Sequence, residues 1–385
     1  MSGAHSTPEP YGGVFRGRRV LVTGHTGFKG AWLCEWLLAL GARVAGIALP
    51  PNTEPSLFRQ LGLEGRLEHH IQDIRDAGAL VPLIRGLEPD FVFHLAAQPL
   101  VRLSYEQPVE TWETNVLGTI HVLEALRGLQ RPCAAVFITT DKCYENREHL
   151  HHAYREEEPL GGHDPYSSSK AAAEIAISAW RRSFFKGSPV RIASARAGNV
   201  MGGGDWALDR IVPDAMRALA RGEAIPVRNK TATRPWQHVL EPLSGYLWLA
   251  ALLARPEMAG MPSAPDAAPY LDAFNFGPRL ESNRTVGELI TEILKHSPGQ
   301  WEDRSDPRAP HEAAFLHLSI EKALRVLHWS PVWDFAETIA RTADWYALTR
   351  QGRQTPLALT AAQITDYTAA ARAAGIRWAS PAGAP

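Results

Sequence analysis

The chain has 385 residues, 45% of them hydrophobic and 21% charged, with a formal net charge of −1. That length supports one large core or two lobes. So balanced a charge excludes a field that would gather nucleic acid or an anionic membrane surface. The three cysteines, Cys34, Cys133 and Cys143, show neither a C-x-x-C pair nor metal-ligand spacing. With no signal peptide in view, they predict a protein of the reducing cytoplasm.

Residues 1–13 are small, polar and rich in Pro and Gly, and are expected to be a disordered leader. Val20–Thr23 reads as a buried strand, followed by Gly24, Gly27 and Gly30 and then a helix over Ala31–Leu40 that Gly41 closes. The apolar run from Ala31 to Leu49 is not a membrane span, because Glu35, Gly41 and Arg43 interrupt it. A strand that turns through glycines into a helix brings a pyrophosphate against backbone. The first glycine permits the turn, the second removes a Cβ that would strike the ligand, and the third lets helix and strand pack closely. The spacing is G-x-x-G-x-x-G rather than G-x-G-x-x-G. Thr26 and Phe28 complete this dinucleotide loop, and His25 and Lys29 either touch the phosphates or face solvent.

Arg43–Leu49 is the second strand. An acid that would hold ribose hydroxyls is missing from its end, which reads Leu49-Pro-Pro-Asn-Thr-Glu-Pro. Asn52 is the substitute, and the choice between NAD and NADP stays open. A third strand, Leu67–Ile71, leads to Asp73 and Ile74. Asp73 either meets the adenine amino group or caps the next helix. Asp90–Ala97 forms a fourth strand, with Leu95, Ala96 and Ala97 at its end where a cofactor passes closely. Helical residues 107–128 contain Asn115, and Ala134–Thr140 is the fifth strand. This alternation predicts an α/β fold with a doubly wound parallel Rossmann sheet, ligands lying outside the carboxyl ends of the strands. From Gly198 onward the alternation loosens. The expected division is a dinucleotide-binding domain of 14–197 plus 239–277 and a smaller mixed α/β substrate lobe of 198–238 plus 278–385, with 255–269 an exposed connection.

Tyr166-Ser-Ser-Ser-Lys170 opens an alanine-rich helix. At this spacing both side chains share one face, and the lysine charge would lower the phenol so that it can take a hydroxyl proton. Directly after the fifth strand come Thr140, Asp141 and Lys142. A short hydroxyl can orient a substrate hydroxyl, while an adjacent carboxylate and amine supply the acid and base of a water elimination. Only seven lysines stand against thirty-three arginines, and three of the seven (Lys29, Lys142, Lys170) lie in these motifs.

These stretches resemble the extended short-chain dehydrogenase/reductases that act on nucleotide sugars. The matches are Thr23–Gly30, His94–Gln98, Thr139–Asn146, Asp164–Lys170, Arg196–Trp206 and Arg234–Pro242. The specific part is Thr-Asp-Lys, since the dTDP-glucose dehydratases of that family carry Thr-Asp-Glu there. The resemblance implies 4,6-dehydration of a nucleotide hexose, a cytidine diphosphate glucose in the first instance and another nucleotide sugar or an epimerisation as the alternative. It implies NAD held by the glycine loop, Asn52, Asp73, Ile74, Leu95, Ala96, Ala97, Tyr166 and Lys170. Tyr166 would be the base at the C4 hydroxyl, Thr140 its orienting partner, Lys142 the base at C5 and Asp141 the acid at C6. Gln98, Thr140, Asn199, Arg210 and Arg234 would bind substrate, arginines suiting a diphosphate through bidentate bonds. Trp206 and Trp236 either pack on the base or sugar or belong to the core, and His238 is structural. The histidines at 149, 151 and 152 lack a carboxylate partner pattern, so no metal is expected. The resemblance further implies a homodimer or homotetramer through helices near 107–128 and 166–185.

Overall fold

Hydrophobic alternation along the strands fixes which side chains enter which layer. In β1 (Arg19–Thr23) Val20 and Val22 enter one core while Leu21 enters the other. The structure, a computed structural model, describes residues 9–149, 152–259, 267–305 and 315–380. Its main sheet adds β2 (Arg43–Ala48), β3 (Glu68–Ile71), β4 (Phe91–His94), β5 (Cys133–Ile138), β6 (Val190–Ala197) and β7 (Ala273–Phe276). All neighbours pair in parallel, in the order β3-β2-β1-β4-β5-β6-β7. The five strands read from sequence are all present. β6 and β7 join them, and β6 carries too many Ala, Ser and Arg residues to have stood out as a strand.

Helices cover both faces. On one lie α1 (Phe28–Ala39), α5 (Leu240–Ala254) and α7 (Pro356–Ala373); on the other lie α2 (Ala77–Leu87), α3 (Gly118–Arg127) and α4 (Pro165–Ser183). Residues Leu240–Leu253 of α5 are buried all round, so this helix is apolar on every side instead of striped. Truncating one of its leucines to alanine would cost about 2–5 kcal/mol. Another helix, α6 (Phe335–Arg350), precedes α7. Among the described residues three two-stranded pairs stand apart from the main sheet: Val200–Met201 with Gln237–His238, Thr233–Pro235 with Asn283–Thr285, and Ile225–Val227 with Trp301–Asp303.

One expectation fails at the N-terminus. Pro10–Gly13 is an ordered 3-10 turn because Tyr11 is fully buried, stacked on Trp378 with ring centroids 5.0 Å apart. The rest of the expected leader, residues 1–8, lies outside the described residues, as do residues 260–266 of the expected connection at 255–269.

Candidate active site

The strand order reverses between β1 and β4, opening a crevice at their carboxyl ends. A buried relay pins this point: Thr23 Oγ1 meets His94 Nδ1 at 2.8 Å, and His94 Nε2 meets Thr119 Oγ1 at 3.0 Å. Gly24 adopts φ +75°, and a Cβ there would lie 2.7 Å from the Ala96 amide nitrogen. A Cβ on Gly30 would collide with the Gly24 carbonyl oxygen. Gly27 is the N-cap of α1 and offers no side-chain cap to the helix. The first N–H groups of α1 therefore face the crevice, a ready anion cradle that fits the pyrophosphate of a dinucleotide. Leu95 and Ala96 stand directly across from Gly24, and Leu95 N donates to Thr23 O at 3.1 Å.

Other loop residues do different work from that expected. The His25 ring turns inward beneath Gly46, with Nε2 2.7 Å from His69 Nδ1 and its edge on Phe58. Burial, then the neighbouring His69, pushes it down to about 4, so it is a neutral packing residue and its side chain is no phosphate ligand. Thr26 Oγ1 donates to Leu49 O at 2.9 Å. Lys29 is half-buried, and its Nζ donates to the Tyr246 hydroxyl at 3.4 Å. Burial, then the positive Arg210 and Lys170, holds its amine down to about 8 against the pull of Asp141.

Asn52 is exposed in the segment after β2. Asp73 accepts from Arg75 N at 2.9 Å and Arg75 Nη2 at 2.6 Å, and Arg75 goes on to Glu110 at 3.0 Å. The cap of α2 is Asp76, which accepts from Ala79 N at 3.1 Å, so the capping reading of Asp73 is corrected. Ile74 is buried against Gly118 and belongs to the core. The Gln98 amide is likewise spent internally, donating to Thr111 Oγ1 at 2.9 Å and Leu100 O at 3.1 Å.

At the end of β5 the chain makes a 3-10 turn, Asp141–Cys143, capped by Thr140. Thr140 Oγ1 donates to Asp141 Oδ1 at 3.0 Å, and Lys142 Nζ lies 3.9 Å from the same oxygen. Gly198 leaves the room that Asp141 occupies, since a Cβ there would be 2.8 Å from Asp141 Oδ2. Asn199 follows directly, between β6 and the short strand Val200–Met201.

Opposite stands α4, begun by Asp164, which accepts from Ser167 N at 2.9 Å, with Pro165 in the first turn. Tyr166 and Lys170 are both buried on the face turned to the turn at 141–143. Burial pushes the Tyr166 phenol up to about 12; the Thr140 hydroxyl and the Arg210 guanidinium work to lower it, and Asp141 adds to the rise. The expected lowering by Lys170 is thereby corrected: burial raises the phenol, and the groups that oppose it are Thr140 and Arg210. Lys170 Nζ rests 3.4 Å from the Ile138 carbonyl, and burial holds its amine down to about 8 against the pull of Glu174.

Arg210 Nη1 is held by Asp205 Oδ2 at 3.0 Å. Its charge acts on both Tyr166 and Lys29, so it reaches the same chamber. Arg234 lies on the strand Thr233–Pro235, its Nη1 donating to Thr233 O at 2.9 Å. Trp206 Nε1 bonds Gln60 Oε1 at 3.0 Å and Trp236 Nε1 bonds Arg284 O at 2.9 Å, which places both indoles in packing roles. His238 is wedged edge-on between Trp32 and Trp333, as a structural residue should be. His152 pairs with Glu158 at 2.7 Å, and His151 lies outside the described residues. Among the described residues no cluster of three or more ligating side chains could hold a metal.

Sequence reading missed Tyr246, which sits in the chamber wall, and the buried pair Glu174 and Arg196 beneath it. Tyr246 lay unmarked inside an apolar helix; Glu174 stood one turn beyond Lys170 on the same face, and Arg196 headed the matching stretch Arg196–Trp206.

Fold and site together define a nucleotide-sugar-modifying enzyme of the extended short-chain dehydrogenase/reductase class. More narrowly, residues 21–342 match the family model described as GDP-mannose 4,6 dehydratase, and the chain belongs to that family. It is 45% identical over 366 residues to a CDP-glucose 4,6-dehydratase of Salmonella typhimurium, covering 92% of this chain and 98% of that one. It is 31% identical to a dTDP-glucose 4,6-dehydratase of Streptomyces antibioticus, covering 85% and 92%. Among solved structures it is similar to the dTDP-glucose 4,6-dehydratase of Streptomyces venezuelae with NAD bound, at TM-score 0.71 and 26% identity, covering 88% and 99%. The UDP-glucose 4-epimerase of Thermotoga maritima shares the fold at TM-score 0.71 and 21% identity, covering 86% and 99%.

Proposed function

We propose that the protein is an NAD-dependent nucleotide-sugar 4,6-dehydratase, converting CDP-D-glucose to CDP-4-dehydro-6-deoxy-D-glucose. The observation that carries this reading is the Thr140-Asp141-Lys142 turn facing Tyr166 across one strand end, an acid–base pair that simple redox chemistry does not need. NAD fits the cradle of Gly24, Gly27, Gly30 and the α1 amides, beside Ala96, Ala97, Tyr166 and Lys170. Once bound, it supplies a hydride acceptor that can later return the hydride. Tyr166, ionised against the cost of burial with the help of the Thr140 hydroxyl and the Arg210 guanidinium, removes the C4 hydroxyl proton, and Thr140 orients that hydroxyl. The ketone acidifies the C5 proton, which Lys142 takes while Asp141 protonates the departing C6 hydroxyl; the Lys142 ammonium would give its proton back to C5 as the returned hydride adds at C6. Arg210 and Arg234 hold the diphosphate, and Asn199 contacts the substrate beside them. The division into a dinucleotide domain and a smaller lobe would set these arginines across the crevice from the cofactor. The enzyme acts in the cytoplasm as a homodimer. Its three buried free thiols support the first claim, and exposed apolar residues on two adjacent helices support the second. No helix among the described residues is long and apolar enough to cross a membrane.

The test is a panel of CDP-, UDP-, dTDP- and GDP-glucose with NAD or NADP, following the alkaline absorbance of a 4-keto sugar. Product from CDP-glucose with NAD is expected. Product from a different nucleotide only would reassign the substrate, and none at all would reduce the protein to a dinucleotide-binding scaffold. Lys142→Met is expected to lower turnover at least ~100-fold; full activity would remove Lys142 from the chemistry.

A further inference from the structure

Beneath the reaction chamber lies a buried ion pair with no part in the steps above. Glu174 follows Tyr166 and Lys170 on one face of α4, and Arg196 lies near the end of β6. Their side chains are 2% and 5% exposed, and Arg196 Nη2 meets Glu174 Oε2 at 2.8 Å. Burying two such charges costs several kcal/mol each before compensation, so their partners are informative. Thr139 Oγ1 donates to Glu174 Oε1 at 2.5 Å, and Ser194 Oγ donates to Oε2 at 2.9 Å. On the far side Arg196 Nη1 donates to Tyr144 Oη at 2.8 Å and to the Glu156 carbonyl at 3.1 Å. The guanidinium also lies 5.0 Å from the Tyr144 ring centroid, and Tyr144 Oη donates onward to Asn275 Oδ1 at 2.7 Å. Thr139 and Tyr144 are the residues that bracket the catalytic turn at each end.

We propose that Glu174 and Arg196 form a positioning clamp that grips both ends of the turn, through Thr139 and Tyr144, and so holds Thr140, Asp141 and Lys142 against Tyr166. The inference rests on the dehydration proposed above. A three-residue 3-10 turn has little stability of its own, and misplacing a reacting group by about 1 Å can cost ~100-fold in rate. A pair of well-packed apolar residues would fill the same space as stably or better, but would hold neither hydroxyl. The Glu174 charge has a second effect, since it works against burial to keep the Lys170 amine protonated.

Removing one member of the pair risks misfolding, so the decisive variants leave it intact. Thr139→Val and Tyr144→Phe each delete one hydroxyl, and Thr139→Ser restores one. The expected result is a ~10- to 100-fold fall in kcat with KM within about threefold. In the cofactor-free protein, amide hydrogen exchange over 139–144 rises while exchange elsewhere in β5 and the unfolding midpoint stay put. Thr139→Ser recovers both rate and protection. Glu174→Gln, if folded, moves the alkaline limb of the pH–rate profile to lower pH. Wild-type kcat together with unchanged exchange at 139–144 in both hydroxyl variants would overturn the clamp. A wild-type enzyme that dehydrates no nucleotide hexose would instead remove the functional reading, and the exchange measurement would still decide the clamp.

Discussion

Two lysine amines held near 8 give the site its pH behaviour. Burial lowers both Lys29 and Lys170 from an ordinary value of 10.5. The unfolded chain therefore keeps protons between pH 8 and 10.5 that the folded chain has released, and stability rises with pH across that window. Below pH 8 both states are protonated, and the cost of burying the charge is fully present. Lys170→Met removes that cost. Its unfolding midpoint at pH 7 should exceed wild type by on the order of a few °C, an advantage that shrinks above pH 10. Activity should fall at least ~100-fold. Thermal melts at pH 7 and pH 10 check the first claim, and a midpoint at pH 7 below wild type would refute it.

At this scale the sequence was readable where function lies in local spacing. The glycines at 24, 27 and 30 and the pair Tyr166–Lys170 are fixed by one turn or one helix, so their placement followed directly. Side chains whose fate depends on distant partners were not readable. His25 finds His69 across 44 residues, Gln98 finds Thr111, and Glu174 meets Arg196 only once α4 packs against β6. The Tyr166 phenol was misjudged for the same reason, because burial is a property of the assembled fold.

Among the elements, the helical run from Pro108 to Arg127 shows how a local irregularity serves two masters. It contains a π-helical turn at Glu113–Leu117 that swings Asn115 fully inside. There Asn115 Oδ1 accepts from Gln98 N at 2.8 Å and Nδ2 donates to Ser169 Oγ at 2.9 Å, tying the loop after β4 to α4. On its outer side the run exposes Val109, Trp112 and Leu117 beside Ile175 of α4. This apolar patch is the surface the proposed homodimer would bury. Trp112→Glu with Ile175→Glu should convert a dimer to a monomer in light scattering without altering the fold by circular dichroism. A wild-type protein that runs as a monomer at micromolar concentration would dismiss the interface. The extra turn per se left no hydrophobic signature, which is why only a plain helix was read there.

Over the whole molecule, the C-terminal helices are joined to the sheet by one buried carboxyl. Glu241, in the first turn of α5, accepts from Trp333 N at 2.7 Å, Val332 N at 3.0 Å and Tyr367 Oη at 2.6 Å. Burial pushes it up to about 7, against the lowering effect of Tyr367 and the two amides. Its folded-state value lies above the unfolded 4.5, so the protonated form stabilises the fold below that pH and the contribution is lost as pH rises through 7. The stability of wild type relative to Glu241→Gln should accordingly decline between pH 5 and 8 in urea titrations. A constant difference across that range would show that Glu241 does not titrate there.

The aromatic contacts at the back of α1 carry a last implication. Tyr11 lies flat on Trp378, Tyr367 lies flat on Trp378 at 5.8 Å, and Trp36 abuts all three rings edge-on. The first and last described parts of the polypeptide are thus neighbours, and both brace the rear of the helix whose front tip forms the proposed phosphate cradle. Trimming either extremity takes away that brace. Such damage would surface first as a dinucleotide that washes off too easily, far from any residue that touches it.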